Sequence, residues 1–119
     1  MRYKRQEILR YDFKEMVSAH FKVINHADES SYPSQGTGQI VNISAGGLLL
    51  ATSFKLPAKR KIQLFLETTI LHHTLHFISE IVWSKQVGTT YHYGLRFLDD
   101  HHDEIIKVLK EYQKQQNPL

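Results

Sequence analysis

Among the 119 residues of this chain there is no cysteine. That excludes disulfides, thiolate metal sites and a cysteine nucleophile, and it is compatible with a reducing compartment. Long apolar runs are also missing. No stretch approaches the ~20 apolar residues of a membrane span. The N-terminus, MRYKRQEILRYDF, is basic like the start of a signal peptide, yet no apolar run of about 7 or more residues follows it. The expectation is a cytoplasmic protein with no membrane insertion. There is no internal repeat and no low-complexity tract. The 3 prolines, Pro33, Pro57 and Pro118, fall in loop-like stretches or at the end of the chain.

What is present is an ordinary globular mixture, with 41% hydrophobic and 23% charged residues. A chain of this length makes one domain that can bury a core without covalent staples. The net charge of +3 says little by itself. Its distribution says more, because Arg2, Lys4, Arg5 and Arg10 crowd the N-terminal end against only Glu7. Such a run is either a solvated tail or an anion-binding arm.

After this arm, Val17, Ala19, Phe21 and Val23 alternate with Ser18, His20 and Lys22, the period of a half-buried strand from Met16 to Ile24. The polar stretch from Asn25 to Gly38 reads as a loop. Strand character resumes at Gln39 to Ile43, breaks at Ser44-Ala45-Gly46-Gly47 and returns at Leu48 to Thr52, giving two strands and a tight connection. Further strands are expected from Lys61 to Glu67, within Leu71 to Lys85, and from Tyr91 to Leu98, with a turn around Gly88. The period then changes. Ile105, Val108, Leu109 and Tyr112 form one stripe of a helix ending near Gln116, with Asp99 or Asp100 as its cap. About six short strands before one helix suggest a mainly β barrel or sandwich. The division expected is a basic arm over 1–14, a β-barrel over 15–98 and a helix over 99–116.

Catalysis finds little support. The eight histidines include His72 and His76, but in a strand that spacing separates them by roughly 13 Å, too far to share an ion. Ser44 sits in Asn-Ile-Ser-Ala-Gly-Gly, not in a Gly-x-Ser-x-Gly nucleophile elbow. No paired carboxylates stand in an apolar context. The reading is a binding protein with no catalytic residue, no metal and no cofactor.

The turn has the form Asn-x-Ser-x-x-Gly, with Asn42, Ser44 and Gly47 in place, and the last strand ends Gly94-Leu95-Arg96-Phe97. On these motifs the chain resembles the PilZ domain family, whose pattern is an RxxxR pair followed by [DN]xSxxG and a final strand with Gly-[LIV]-x-Phe. Glu80-Ile81-Val82-Trp83 is similar to the strand before it. Arg10 fits the second arginine of the pair, Gln6 stands where the first is expected, and Arg5 lies one position earlier. The resemblance implies a six-stranded antiparallel barrel with a C-terminal helix that binds the bacterial second messenger cyclic di-GMP. It implies a site of Arg5, Gln6, Arg10, Asn42, Ser44, Gly46 and Gly47. Trp83 could stack on a guanine, although a lone strand tryptophan is ordinarily core. It further implies an N-terminal arm ordered by the ligand and a protein partner addressed in trans, in motility, biofilm or exopolysaccharide control. An adaptor that has lost the ligand is the alternative. A single-stranded nucleic-acid binder, suggested by Tyr3, Tyr11 and Phe13 beside the basic arm, is disfavoured, since no evenly spaced aromatic platform accompanies the charge.

Overall fold

Alternation of apolar and polar residues governs most of the structure, a computed structural model that describes residues 10–24, 35–56 and 62–116. Six strands, β1 (Tyr11–Val23), β2 (Gln35–Ile43), β3 (Gly47–Thr52), β4 (Gln63–Ile70), β5 (His73–Val87) and β6 (Thr90–Phe97), precede one helix, α1 (His102–Gln116). The strands close into a barrel in the order β1-β2-β3-β6-β5-β4, with every neighbouring pair antiparallel. The expected fold, a six-stranded antiparallel barrel with a C-terminal helix, is the fold found. Closure leaves no full-length sheet edge open to aberrant pairing.

In β1, Phe13, Ala19, Phe21 and Val23 are buried while Asp12, Lys14, His20 and Lys22 face solvent. Ile40, Leu50, Leu64, Leu66 and Phe77 are wholly buried and fill the centre. The helix adds Ile105, Val108 and Leu109 to the same core, with Tyr112 half-buried beside them. This is the stripe expected from the periodicity.

Two boundaries differ most from the sequence reading. First, β1 begins at Tyr11, so residues assigned to the arm over 1–14 belong in part to the barrel. The cause is an aromatic cluster. Tyr11, Phe13 and Tyr112 of the helix meet edge to face, with centroids 5.2, 5.5 and 5.3 Å apart, and such contacts reward an extended chain as far as Tyr11. Second, β2 begins at Gln35 rather than Gln39. Gly36, which reads as a loop residue, is a strand position filled by its neighbours, since a Cβ there would press on the rings of Phe54 and Phe21.

The helix start is built by carboxylates. His102 N donates to Asp100 Oδ1 at 3.0 Å, so Asp100 is the aspartate that caps, and Ile105 N donates to His101 O at 2.9 Å. Asp99 instead accepts from Ile78 N at 3.2 Å, tying the helix start to β5. His101 lies between Asp99 and Glu104, with Nε2 2.8 Å from Asp99 Oδ2 and Nδ1 3.0 Å from Glu104 Oε1. Burial pulls the imidazole's pKa down, but the hydrogen bonds and charges of Asp99 and Glu104 outweigh it, and the net shift is upward from 6.5. The sign follows from linkage. A group whose pKa is raised by folding stabilises fully below its unfolded value and loses that contribution as pH rises through the folded value. The thermal midpoint is therefore expected to fall as the pH is taken upward from about 6, and His101→Gln is expected to flatten the fall. Parallel profiles for the two proteins, recorded by circular dichroism, would show that His101 carries none of it.

Candidate functional site

Four strands, β2, β3, β5 and β6, and the residue just ahead of β1 bring side chains to one outer face. Arg10 is exposed immediately ahead of β1, and the β1–β2 register, which pairs Tyr11 with Ile43 and Asp12 with Asn42, sets it beside the β2–β3 turn. Its Nη1 donates to Asn42 Oδ1 at 2.8 Å. The amide is neutral, so this bond orients the guanidinium without cancelling its charge.

The turn itself is held from within. Ser44 N donates to Gly47 O at 2.8 Å, and Ser44 Oγ accepts from Gly46 N at 3.3 Å. Ser44 is buried, so its hydroxyl organises the turn. Gly46 O accepts from Phe97 N at 2.9 Å, which pins the turn to β6. At Gly47, paired with Arg96 across the β3–β6 ladder, a Cβ would overlap Leu95 O. At Gly46 a Cβ would meet nothing within 4 Å, which leaves open space above the turn.

On the far side stand Arg96 and Trp83. Arg96 Nη2 donates to Glu80 Oε1 at 2.6 Å, the two being cross-strand partners in the β5–β6 register. The glutamate side chain is only 9% exposed against 57% for the arginine, so a buried carboxylate anchors an exposed guanidinium. Trp83 is paired with Gly94 and its indole covers that glycine, where a Cβ would overlap Nε1 and Cε2. Trp83 is 48% exposed and so is not a core residue. The reversal comes from an irregularity between Ile81 and Trp83, which shifts the register and turns the tryptophan outward.

These residues line one open groove of about 830 Å³, rimmed by Asp100 and His102 at the helix start. That volume falls within the range of small-molecule sites. Of the residues expected at a site, the structure brings together Arg10, Asn42, Ser44, Gly46, Gly47 and Trp83. Arg5 and Gln6 lie outside the described residues. The sequence reading assigned no role to Arg96 or Glu80. The signal available for Arg96 was its place two residues after Gly94 on the outward face of a strand. The partnership with Glu80 depends on a register that sequence does not display.

Among the described residues no group of three His, Cys, Asp or Glu could hold a metal ion. Among them, too, no helix is long and apolar enough to cross a membrane. In comparison with known proteins, the family model described as PilZ domain matches residues 2–114 of the chain. No curated protein matches it.

Proposed function

The chain belongs to the PilZ domain family, and on that premise we propose that it is a receptor for cyclic di-GMP that acts on a protein partner in trans. The family is generally associated with that ligand. The observation that carries the reading is the convergence of Arg10, Asn42, Gly46, Gly47 and Trp83 on one groove. Arg10, Asn42, Gly46 and Trp83 each fit a part of the ligand. Arg10, held by a neutral amide, is free to fork onto a phosphate. Asn42 offers amide donors to a base edge or phosphate, and the open space over Gly46 admits close approach to the backbone. Trp83 presents a flat, exposed face to a guanine.

In this reading the basic arm, with Arg5 and Gln6, closes over the bound ligand from the base set by Arg10. The barrel holds the other side and the helix borders the site. Ordering of the arm would change the surface seen by the partner, a switch driven by contacts that exist only in the bound state. The protein would act in the cytoplasm without catalysing a reaction.

Calorimetric titration of the full chain with cyclic di-GMP tests this. Micromolar or tighter binding is expected, weakened about ten- to a hundredfold in Arg10→Ala, the effect of removing one charge-assisted contact. Asn42→Ala is expected to weaken binding as well, through loss of its own bonds and of the Arg10 anchor. No heat at high concentration from a folded protein would overturn the reading. It would leave the ligand-free adaptor, to which Gln6 in the place of an arginine already points.

A further inference from the structure

Two arginines, in different electrostatic settings, line the same groove. Arg10 is bound to a neutral amide and retains its full charge. Arg96 is bound to the buried carboxylate of Glu80. An anion meeting Arg96 also meets the charge of Glu80 behind it, so Arg96 is a poor phosphate anchor. Its remaining N–H groups still donate. A guanidinium has five, and the bond to Glu80 fixes the orientation of the fork. What suits such a group is a pair of neutral acceptors in one plane.

The neighbouring residues show where that pair would come from. Gly94 and Arg96 lie two apart on the outward side of β6, roughly 6.6 Å along the strand. Trp83 covers Gly94, and its indole lines the same groove as Arg96. A base stacked on the indole would turn an edge toward the guanidinium. Guanine presents O6 and N7 there, both acceptors, whereas adenine presents N7 and an N6 donor that opposes the N–H groups.

We propose that Arg96, held in place by Glu80, is the residue that selects guanine over adenine in the base seated on Trp83. This rests on the cyclic di-GMP reading and assigns the two arginines separate tasks, Arg10 to phosphate and Arg96 to the base edge. Glu80 is a positioning residue, since it acts through Arg96.

The test compares cyclic di-GMP with cyclic di-AMP by calorimetry on the full chain. Arg96→Ala alone would strand a buried carboxylate, so it is combined with Glu80→Gln. Arg96→Lys, which keeps the ion pair and loses the planar fork, is the second variant. The parent protein is expected to favour cyclic di-GMP by about tenfold or more. In the double variant cyclic di-GMP should weaken about ten- to a hundredfold while cyclic di-AMP changes less than about threefold, so the preference collapses. Arg96→Lys should lose most of the preference as well. An equal loss for both ligands would overturn the proposal, because a phosphate contact or a purely structural role acts on both alike. Unchanged binding of cyclic di-GMP in a folded double variant would also overturn it while leaving the receptor reading intact. If the parent protein binds neither ligand, the receptor reading itself fails.

Discussion

Gly47→Val is expected to be the most damaging single change on this surface, lowering stability by about 3 kcal/mol or more. The cause is steric and local. A Cβ at Gly47 would overlap Leu95 O, which is backbone in the adjacent strand and cannot rotate away. Relief requires β3 and β6 to separate where Gly47 pairs with Arg96, and the bond from Phe97 N to Gly46 O lies next to that pair. Against a typical total of about 5–15 kcal/mol, this would bring the midpoint down by on the order of 10 °C or more. Urea unfolding followed by circular dichroism measures it. Gly46→Ala is the matched control, because its Cβ enters open space. Its stability should stay within about 0.5 kcal/mol of the parent. Equal stability of both variants would show that the close approach at Gly47 does not govern the pairing.

Phe77→Ala should cost about 3–5 kcal/mol, the range for emptying a large buried aromatic site. Phe77 is wholly buried in β5. Its ring stacks on Phe97 of β6 with centroids 4.4 Å apart, and it meets His101 edge to face at 4.9 Å. One side chain therefore joins two strands to the start of the helix. Its loss leaves a cavity and releases His101 from the packing that holds it between Asp99 and Glu104. The variant should consequently show both a lower urea midpoint and a weaker pH dependence of stability than the parent. Since Trp83 sits exposed on the groove, its fluorescence reports on that surface, and backbone circular dichroism is the proper readout of the core. A loss below about 1 kcal/mol would mean that the neighbouring rings collapse into the space.

Much of the fold was legible because most of its strands obey the simplest rule. Val17, Ala19, Phe21 and Val23 share one face by sequence parity, and the three of them that are fully buried, Ala19, Phe21 and Val23, are core residues. The helical stripe of Ile105, Val108 and Leu109 was equally plain and is equally buried. The boundaries were less so, since they depend on remote partners. Tyr11 joins β1 because Tyr112, about a hundred residues away, packs against it. Gly36 looked like punctuation but serves as a gap for two phenylalanine rings.

The groove falls on both sides of this line. Asn42, Ser44 and Gly47 were marked by a local motif, and the order of apolar residues along the chain determined a mainly β domain with one C-terminal helix, leaving barrel and sandwich both open. Those are properties of neighbours along the chain, which sequence records directly. The tertiary structure decided which side chains the groove would receive. By parity Asn42 belongs with Ile40, yet a shift between Ile40 and Asn42 in the pairing with β3 sends Ile40 and Ile43 inward and leaves Asn42 to meet Arg10. Trp83 belongs by parity with Leu75, Phe77, Ser79 and Ile81, all buried, and the shift after Ile81 places it outside, over Gly94. A bulge adds one residue to one strand and so reverses the facing of all that follows. Its position is set by the partner strand and by closure of the barrel, and no run of residues read alone could disclose it.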